Sequence, residues 1–230
     1  MTTLTYTRER DPDLRQALEQ RQRRQALEQR RQRLARQLDQ AGLPPVFRRC
    51  SFTTLDPSQT PEAVAQARVY AEAVAAGTAD PPGLLLLGRP GRGKSSLAAA
   101  ILRQVVERTH GRYSVRFWNV ARGLEQQRDR FRQDDGPGEG LQELLTHRLV
   151  VLDDWAQPRL TAWVAEQFYT LIDGLWAGRK AVILTTHVPL EALRARFDEA
   201  LLSRLLGMCE VVFMAGPDRR LETGGREGNG

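Results

Sequence analysis

Residues 88–95 read Gly-Arg-Pro-Gly-Arg-Gly-Lys-Ser, a complete G-x-x-x-x-G-K-[ST] string, and the apolar run Leu84-Leu85-Leu86-Leu87 leads straight into it. A buried strand that ends in such a loop and continues as a helix constrains this chain more than anything else in it. The glycines let backbone N–H groups turn inward around the α- and β-phosphates of a nucleotide. Lys94 can reach the β/γ oxygens, and the Ser95 hydroxyl can ligate Mg²⁺. The helical pattern from Leu97 to Val106 supplies the element that must follow. Nucleotide binding is therefore expected around Gly88, Pro90, Gly91, Arg92, Gly93, Lys94, Ser95 and Ser96. Of the 34 basic residues only Lys94 and Lys180 are lysine, so one of the two sits where the loop needs a compact ammonium.

A second string completes the chemistry. Leu149-Val150-Val151-Leu152 is a short apolar strand ending in Asp153-Asp154, as a Walker B element requires. Asp153 can hold the Mg²⁺ water shell and Asp154 can orient or deprotonate the attacking water. The next apolar run, Ala181-Val182-Ile183-Leu184, ends in Thr185-Thr186-His187. Polar groups at the carboxyl end of a parallel strand face the ligand crevice, so Thr186 or His187 is placed to sense the γ-phosphate or position water. Arg204, Arg219 and Arg220 are candidates for a delocalised charge at the γ-phosphate, although spacing alone does not single them out among so many arginines.

The 230 residues suit one α/β domain with an appendage. Asp11-Pro12-Asp13 is a helix start, and Gly42 followed by Pro44-Pro45 is a stop. Between them the near-repeat Arg15–Arg21 and Arg24–Arg30 recurs at a nine-residue spacing that fits helical turns poorly. Its apolar stripe, Leu14, Leu18, Leu27, Leu34, Leu38 and Ala41, is broken at Arg21 and at Arg30-Arg31. Such a helix buries itself badly and is expected to project and wait for a partner. The expected organisation is an arginine-rich docking helix over 1–43, a linker over 44–60, the catalytic domain over 61–222 and a disordered glycine-rich tail over 223–230. A helix is expected over 61–76 and buried parallel strands over 84–87, 113–118, 149–153, 181–185 and 210–214. The formal charge of +6 and a pI near 10.0 fit a phosphate-bearing or acidic partner. Cys50 and Cys209 are too few for a disulfide framework or a four-cysteine zinc site and read as reduced thiols. No membrane span or export signal is recognisable, so a cytoplasmic location is expected.

Taken together, these strings resemble the bacterial AAA+ helicase loaders of the DnaC type and the related IstB-type transposition ATPases. Residues 41–52 (Ala-Gly-Leu-Pro-Pro-Val-Phe-Arg-Arg-Cys-Ser-Phe) look like the linker into such a domain. Glu166-Gln167-Phe168-Tyr169 with Ile172-Asp173 looks like the helix after Walker B. Thr185–Glu191 is similar to the sensor 1 segment, and Ser203-Arg204-Leu205 to the arginine-finger box. The resemblance, over about residues 41–221, implies an α/β AAA+ P-loop NTPase with a parallel five-stranded sheet flanked by helices and preceded by a long N-terminal helix. It implies ATP and Mg²⁺ as cofactors, Ser95 and Asp153 on the metal side, and Asp154, His187 and an in-trans Arg204 as catalytic. Arg219 or Arg220 would be sensor 2. It also implies a helical insertion after the second strand that touches single-stranded DNA, where Arg122, Arg128, Arg130 and Arg132 lie with Phe131 among them. Arg128 and Arg132 share a helix face, and an aromatic there can stack on a base. Phe117 and Trp118 are expected in the core.

Three departures stand out. Asp154 replaces the usual glutamate, His187 replaces the usual asparagine, and no N-terminal cysteine cluster is present. The shorter acid is expected to leave the attacking water about one bond out of place, weakening hydrolysis while sparing binding. The leading expectation is an ATPase that loads a hexameric DnaB-type replicative helicase onto single-stranded DNA. In that reading the N-terminal helix grips the helicase and the AAA+ domains self-associate, with no role for a membrane. Two further classes compete: a transposition ATPase that binds duplex DNA and recruits a transposase, and an adaptor that binds nucleotide with little turnover.

Overall fold

The computed structural model describes residues 12–55, 60–77, 83–133, 140–156, 159, 161–216 and 218; the side chains of 12–14 and 130–133 are outside that description. The chain divides into two compact units, Met1–Gln37 and Leu38–Gly230.

Helix α1 spans Pro12–Gln40, beginning at the proline that suits a first helical position. Residues 15–33 are exposed throughout, and even Leu18 and Leu27 remain 49% and 51% exposed. The broken stripe explains this, because arginines interrupt each run before two turns of apolar surface accumulate. The helix ends as its sequence indicates. Gly42 takes φ +76°, Gly42 N donates to Asp39 O at 2.9 Å and Leu43 N to Leu38 O at 3.1 Å, a Schellman-type stop. Leu38, Ala41 and Leu43 are each 2% exposed and belong to the second unit.

In that unit a 3-10 turn, Pro45–Phe47, precedes α2 (Pro61–Ala76), which has the bounds its sequence suggests. The elements then run β1 (Gly83–Leu87), α3 (Lys94–Thr109), β2 (Val115–Asn119), α4 (Val120–Gln133), a 3-10 segment (Leu141–Thr146) and β3 (Leu149–Asp153). They continue with α5 (Ala162–Ala177), β4 (Ala181–Thr186), α6 (Leu190–Arg196), α7 (Glu199–Met208) and β5 (Cys209–Phe213). The five strands form one all-parallel sheet in the order β2-β3-β4-β1-β5. Strands β1, β3 and β4 are buried along their whole length, which is why they read as unbroken apolar runs. Leu85, Leu87, Val150, Leu152, Val182 and Leu184 join one core cluster with Phe168, Leu171 and Leu205 of the α5 and α7 layer. Alternate residues turn to the opposite face, against which α3 packs, itself covered by α2. Phe117 and Trp118 are 3% and 8% exposed, in the core as expected.

Strand β2 starts two residues later than its sequence suggests and runs one further. The Ser114 carbonyl accepts from Arg148 N and Leu149 N, so ladder pairing begins only at Val115↔Leu149 and extends to Asn119↔Asp153. Strand β4 likewise gains Thr186, paired with Leu87, and β5 begins at Cys209, paired with Gly83. Tyr70 of α2 donates its hydroxyl to the Val182 carbonyl at 3.2 Å. Burial, and secondarily Cys209, pushes this phenol well above its ordinary range; burial does the same to the Cys209 thiol. The registers Leu87↔Thr186 and Asn119↔Asp153 bring the carboxyl ends of four strands to one sheet edge. Ligand sites of parallel α/β sheets form at that edge.

Candidate nucleotide-binding site

The loop between β1 and α3 has the backbone a phosphate cradle needs. Gly91 and Gly93 take φ of +76° and +81°, conformations that carry a steric cost for any residue with a Cβ. Gly93 is the cap of α3, and its carbonyl accepts from Leu97 N at 2.8 Å. Lys94, only 6% exposed, donates its ammonium to the Gly88 and Arg89 carbonyls at 2.6 and 2.9 Å. The loop is thus closed around its own lysine, with the positive end of α3 behind it. Gly88 N donates to Thr186 O at 3.3 Å, which ties the loop to the end of β4. Ser95 and Ser96 are half-buried in the first turn of α3, Gly88 and Arg92 are half-buried, and Pro90 is exposed.

The acids at the end of β3 are held from both sides. Asp153 is 5% exposed. Its Oδ1 accepts from Thr185 Oγ1 at 2.8 Å, and its Oδ2 from Asn119 Nδ2 at a longer 3.4 Å. Thr185 Oγ1 also accepts from Asp154 N at 3.0 Å. Asp154 adopts a left-handed φ of +52°, which a short polar residue tolerates better than most. The next residue pins it there. Trp155 N donates to Thr185 O, and the buried Trp155 ring stacks on Phe197 at 4.8 Å and meets Phe168 edge-on at 5.8 Å. Trp155 Nε1 is buried and has no hydrogen-bond partner among the described residues. The Asp154 carboxylate, 34% exposed, faces His187 Nδ1 at 4.0 Å, so the two expected catalytic groups share one corner.

Thr186, expected at the γ-phosphate, is 1% exposed and accepts from Val188 N through its hydroxyl at 3.1 Å. Thr185 is the threonine that touches the acids. Among the described residues no cluster of three or more His, Cys, Asp or Glu could hold a metal. A hydroxyl (Ser95) and a buried carboxylate (Asp153) are nevertheless hard oxygen donors of the kind Mg²⁺ takes when nucleotide phosphates and water complete its shell. The bonds to Thr185 and Asn119 would orient that carboxylate.

Arg204 on α7 is 42% exposed and pairs with Asp173 of α5 at 3.1 Å. On α4, Asn119 Oδ1 accepts from Arg122 N at 3.1 Å and so caps the helix, while the Arg122 side chain is exposed. Arg128 lies over the Trp163 ring of α5 at 5.6 Å. The side chains of Arg130, Phe131 and Arg132, and residues Arg219 and Arg220, lie outside the described residues. Three residues with a place at this site were not singled out from the sequence: Asn119, Thr185 and Trp155. Asn119 and Thr185 had one available signal, a polar residue at the carboxyl end of a strand beside the Walker B strand.

Comparison with known proteins identifies the family and the fold. The family model of the IstB-like ATP binding protein matches residues 4–226. The phage-like element PBSX protein XkdC of Bacillus subtilis (strain 168) is 26% identical over 131 residues, 55% of this chain and 47% of that protein. The chain thus spans about half the length of that relative. The crystal structure of the DnaC helicase loader superposes with a TM-score of 0.63 at 24% identity, over 74% of this chain and 99% of that one. DnaI gives 0.62 at 18% over 77% and 94%, and DnaA bound to AMPPCP and single-stranded DNA gives 0.61 at 17% over 75% and 50%. At these identities the superpositions establish the fold. No described helix is long and apolar enough to cross a membrane. With the family model matched over nearly the whole length of a chain that carries this loop and this buried acid, the protein belongs to the family of the IstB-like ATP binding protein.

Proposed function

We propose that the protein is an ATP-dependent loader that places a hexameric DnaB-type replicative helicase on single-stranded DNA. One observation carries this reading. Asn119 caps α4 through its Oδ1 and reaches Asp153 through its Nδ2, so the helix bearing Arg122 and Arg128 is one side chain away from the acid of the nucleotide site. A strand gripped by α4 can therefore bear directly on the state of that acid. The Arg128–Trp163 plate offers a cation and an aromatic ring together, the combination that favours unpaired bases over duplex. Phe131 and Arg132 follow in the sequence.

The exposed arginines of α1, interleaved with glutamine and glutamate, suit a mixed-charge protein surface and form the docking element over residues 1–43. Arg204, half-exposed with an exposed partner, is available to a neighbouring subunit's γ-phosphate once the domains stack. Either Arg219 or Arg220 would act as sensor 2 within the subunit. Mg²⁺ held by Ser95 and Asp153 would supply charge neutralisation at the β- and γ-phosphates. Asp154, short and turned toward His187, makes turnover slow, so that ATP serves chiefly as an assembly signal.

The second reading is the transposition ATPase that gives the family its name, recruiting a transposase on duplex DNA. Affinity capture from the host with the full chain separates the two. Recovery of a hexameric helicase, lost when Arg23, Arg24, Arg30 and Arg31 are changed to glutamate while ATP affinity stays, supports loading. Recovery of a transposase supports the second reading, and helicase capture that survives those changes removes α1 as the docking element.

A further inference from the structure

The segment after β5 lies along the phosphate loop. Met214 N donates to Leu87 O at 2.7 Å, and a Cβ at Gly88 would stand 2.5 Å from the Met214 carbonyl oxygen. Further along, the Asp218 carboxyl group covers Gly91 so closely that a Cβ there would fall within it. Gly91 is thus glycine on two counts, a left-handed φ of +76° and a carboxylate where its side chain would be. The same ground is where nucleotide phosphates approach the loop amides, in front of the positive end of α3. Cationic residues are close in the chain: Lys94 is inside the loop, Arg92 follows Gly91 and Arg89 lies two residues before it. A carboxylate and a polyphosphate are attracted to such a place by the same groups and repel each other there.

We propose that Asp218 is an affinity-setting residue of the nucleotide site, an internal anion resting on the phosphate loop with which the phosphates of ATP compete. Its charge holds the loop against the post-β5 segment, and binding of ATP requires that contact to loosen. Nucleotides with more phosphate charge at the loop meet the larger opposition. The proposal rests on ATP binding at Lys94 and stands whether the protein partner is a helicase or a transposase.

The test is calorimetric titration of the full chain with ATP, ADP and AMP, comparing the native protein with Asp218→Asn and Asp218→Ser. Asparagine keeps the shape and removes the charge; serine removes the charge and most of the bulk. Competition predicts ATP binding at least about tenfold tighter in both variants, with the gain falling in the order ATP, ADP, AMP. It also predicts that the gap to the native chain narrows as salt rises from about 0.05 to about 0.5 M. ATP affinity that is unchanged or weaker in both variants, with melting temperature preserved, overturns the proposal. So does an equal gain for all three nucleotides, which would place the effect in packing and not in charge. A loss confined to titrations with Mg²⁺ present would make Asp218 a metal-side carboxylate and overturns it as well. Should Asp218→Asn melt early, the order of gains in Asp218→Ser decides alone.

Discussion

Thr185→Val removes one oxygen from the site and almost nothing else. That oxygen is fully buried, donates to Asp153 Oδ1 at 2.8 Å and accepts from Asp154 N at 3.0 Å. Without it, Asp153 keeps one long bond, from Asn119 at 3.4 Å, on a carboxylate that is 5% exposed, and the Asp154 amide loses its acceptor. A hydrogen bond to a charged group contributes about 1.5–3 kcal/mol, and an orphaned buried polar group costs about 1–3 kcal/mol. The Asp154 amide is only partly buried, which puts its share at the low end and the total near about 3 kcal/mol. For a domain of this size each kcal/mol moves the melting temperature by about 2–4 °C, so Thr185→Val should melt about 6–12 °C lower. Thr185→Ser keeps the oxygen and gives up one methyl, about 1 kcal/mol. ATP turnover, measured well below both melting points, should fall at least about tenfold in the valine variant and far less in the serine one, because only valine frees the acids to reorient. A valine variant that melts within about 2 °C of the native chain, or a serine variant as damaged as the valine one, refutes the claim that β4 holds the acids of β3.

Asp154→Glu lengthens the acid by one C–C bond and should raise ATP turnover about tenfold or more with ATP affinity within about twofold, read by steady-state hydrolysis and calorimetry; turnover that stays level or drops puts the limit elsewhere. The left-handed φ at that position should cost the glutamate variant about 1 kcal/mol of stability in the same experiment. Alkylation of the native chain near pH 8 should modify Cys50, which is half-buried, and spare Cys209, whose thiol is 6% exposed and pushed upward by burial. Denaturant should expose both, and mass spectrometry showing Cys209 modified under native conditions would mean that β5 opens.

The elements legible in the sequence are those whose signal is contiguous. The phosphate loop is one string read off 88–95, α2 has a proline start and a glycine stop at Pro61 and Gly77, and β1, β3 and β4 are buried on both faces and so appear as unbroken apolar runs. What stayed hidden is set by neighbours. Nothing in Tyr-Ser-Val-Arg-Phe-Trp-Asn says that pairing starts at Val115 and includes Asn119; β3 decides that by where Leu149 and Asp153 fall. For the same reason the two threonines are alike in the sequence, since both end the same apolar run and only the pleat distinguishes them. Successive side chains point to opposite faces, which turns Thr185 toward the acids and leaves Thr186 to accept from its own turn at Val188. A Walker B string read from a sequence therefore identifies the acids but not what fixes their orientation, which here comes from β2 on one side and β4 on the other. Because Asn119 also caps α4, the geometry of Asp153 is not a local property of β3. It is shared with the helix carrying the candidate DNA arginines, and a shift of the first turn of α4 has a route through Asn119 to Asp153 Oδ2.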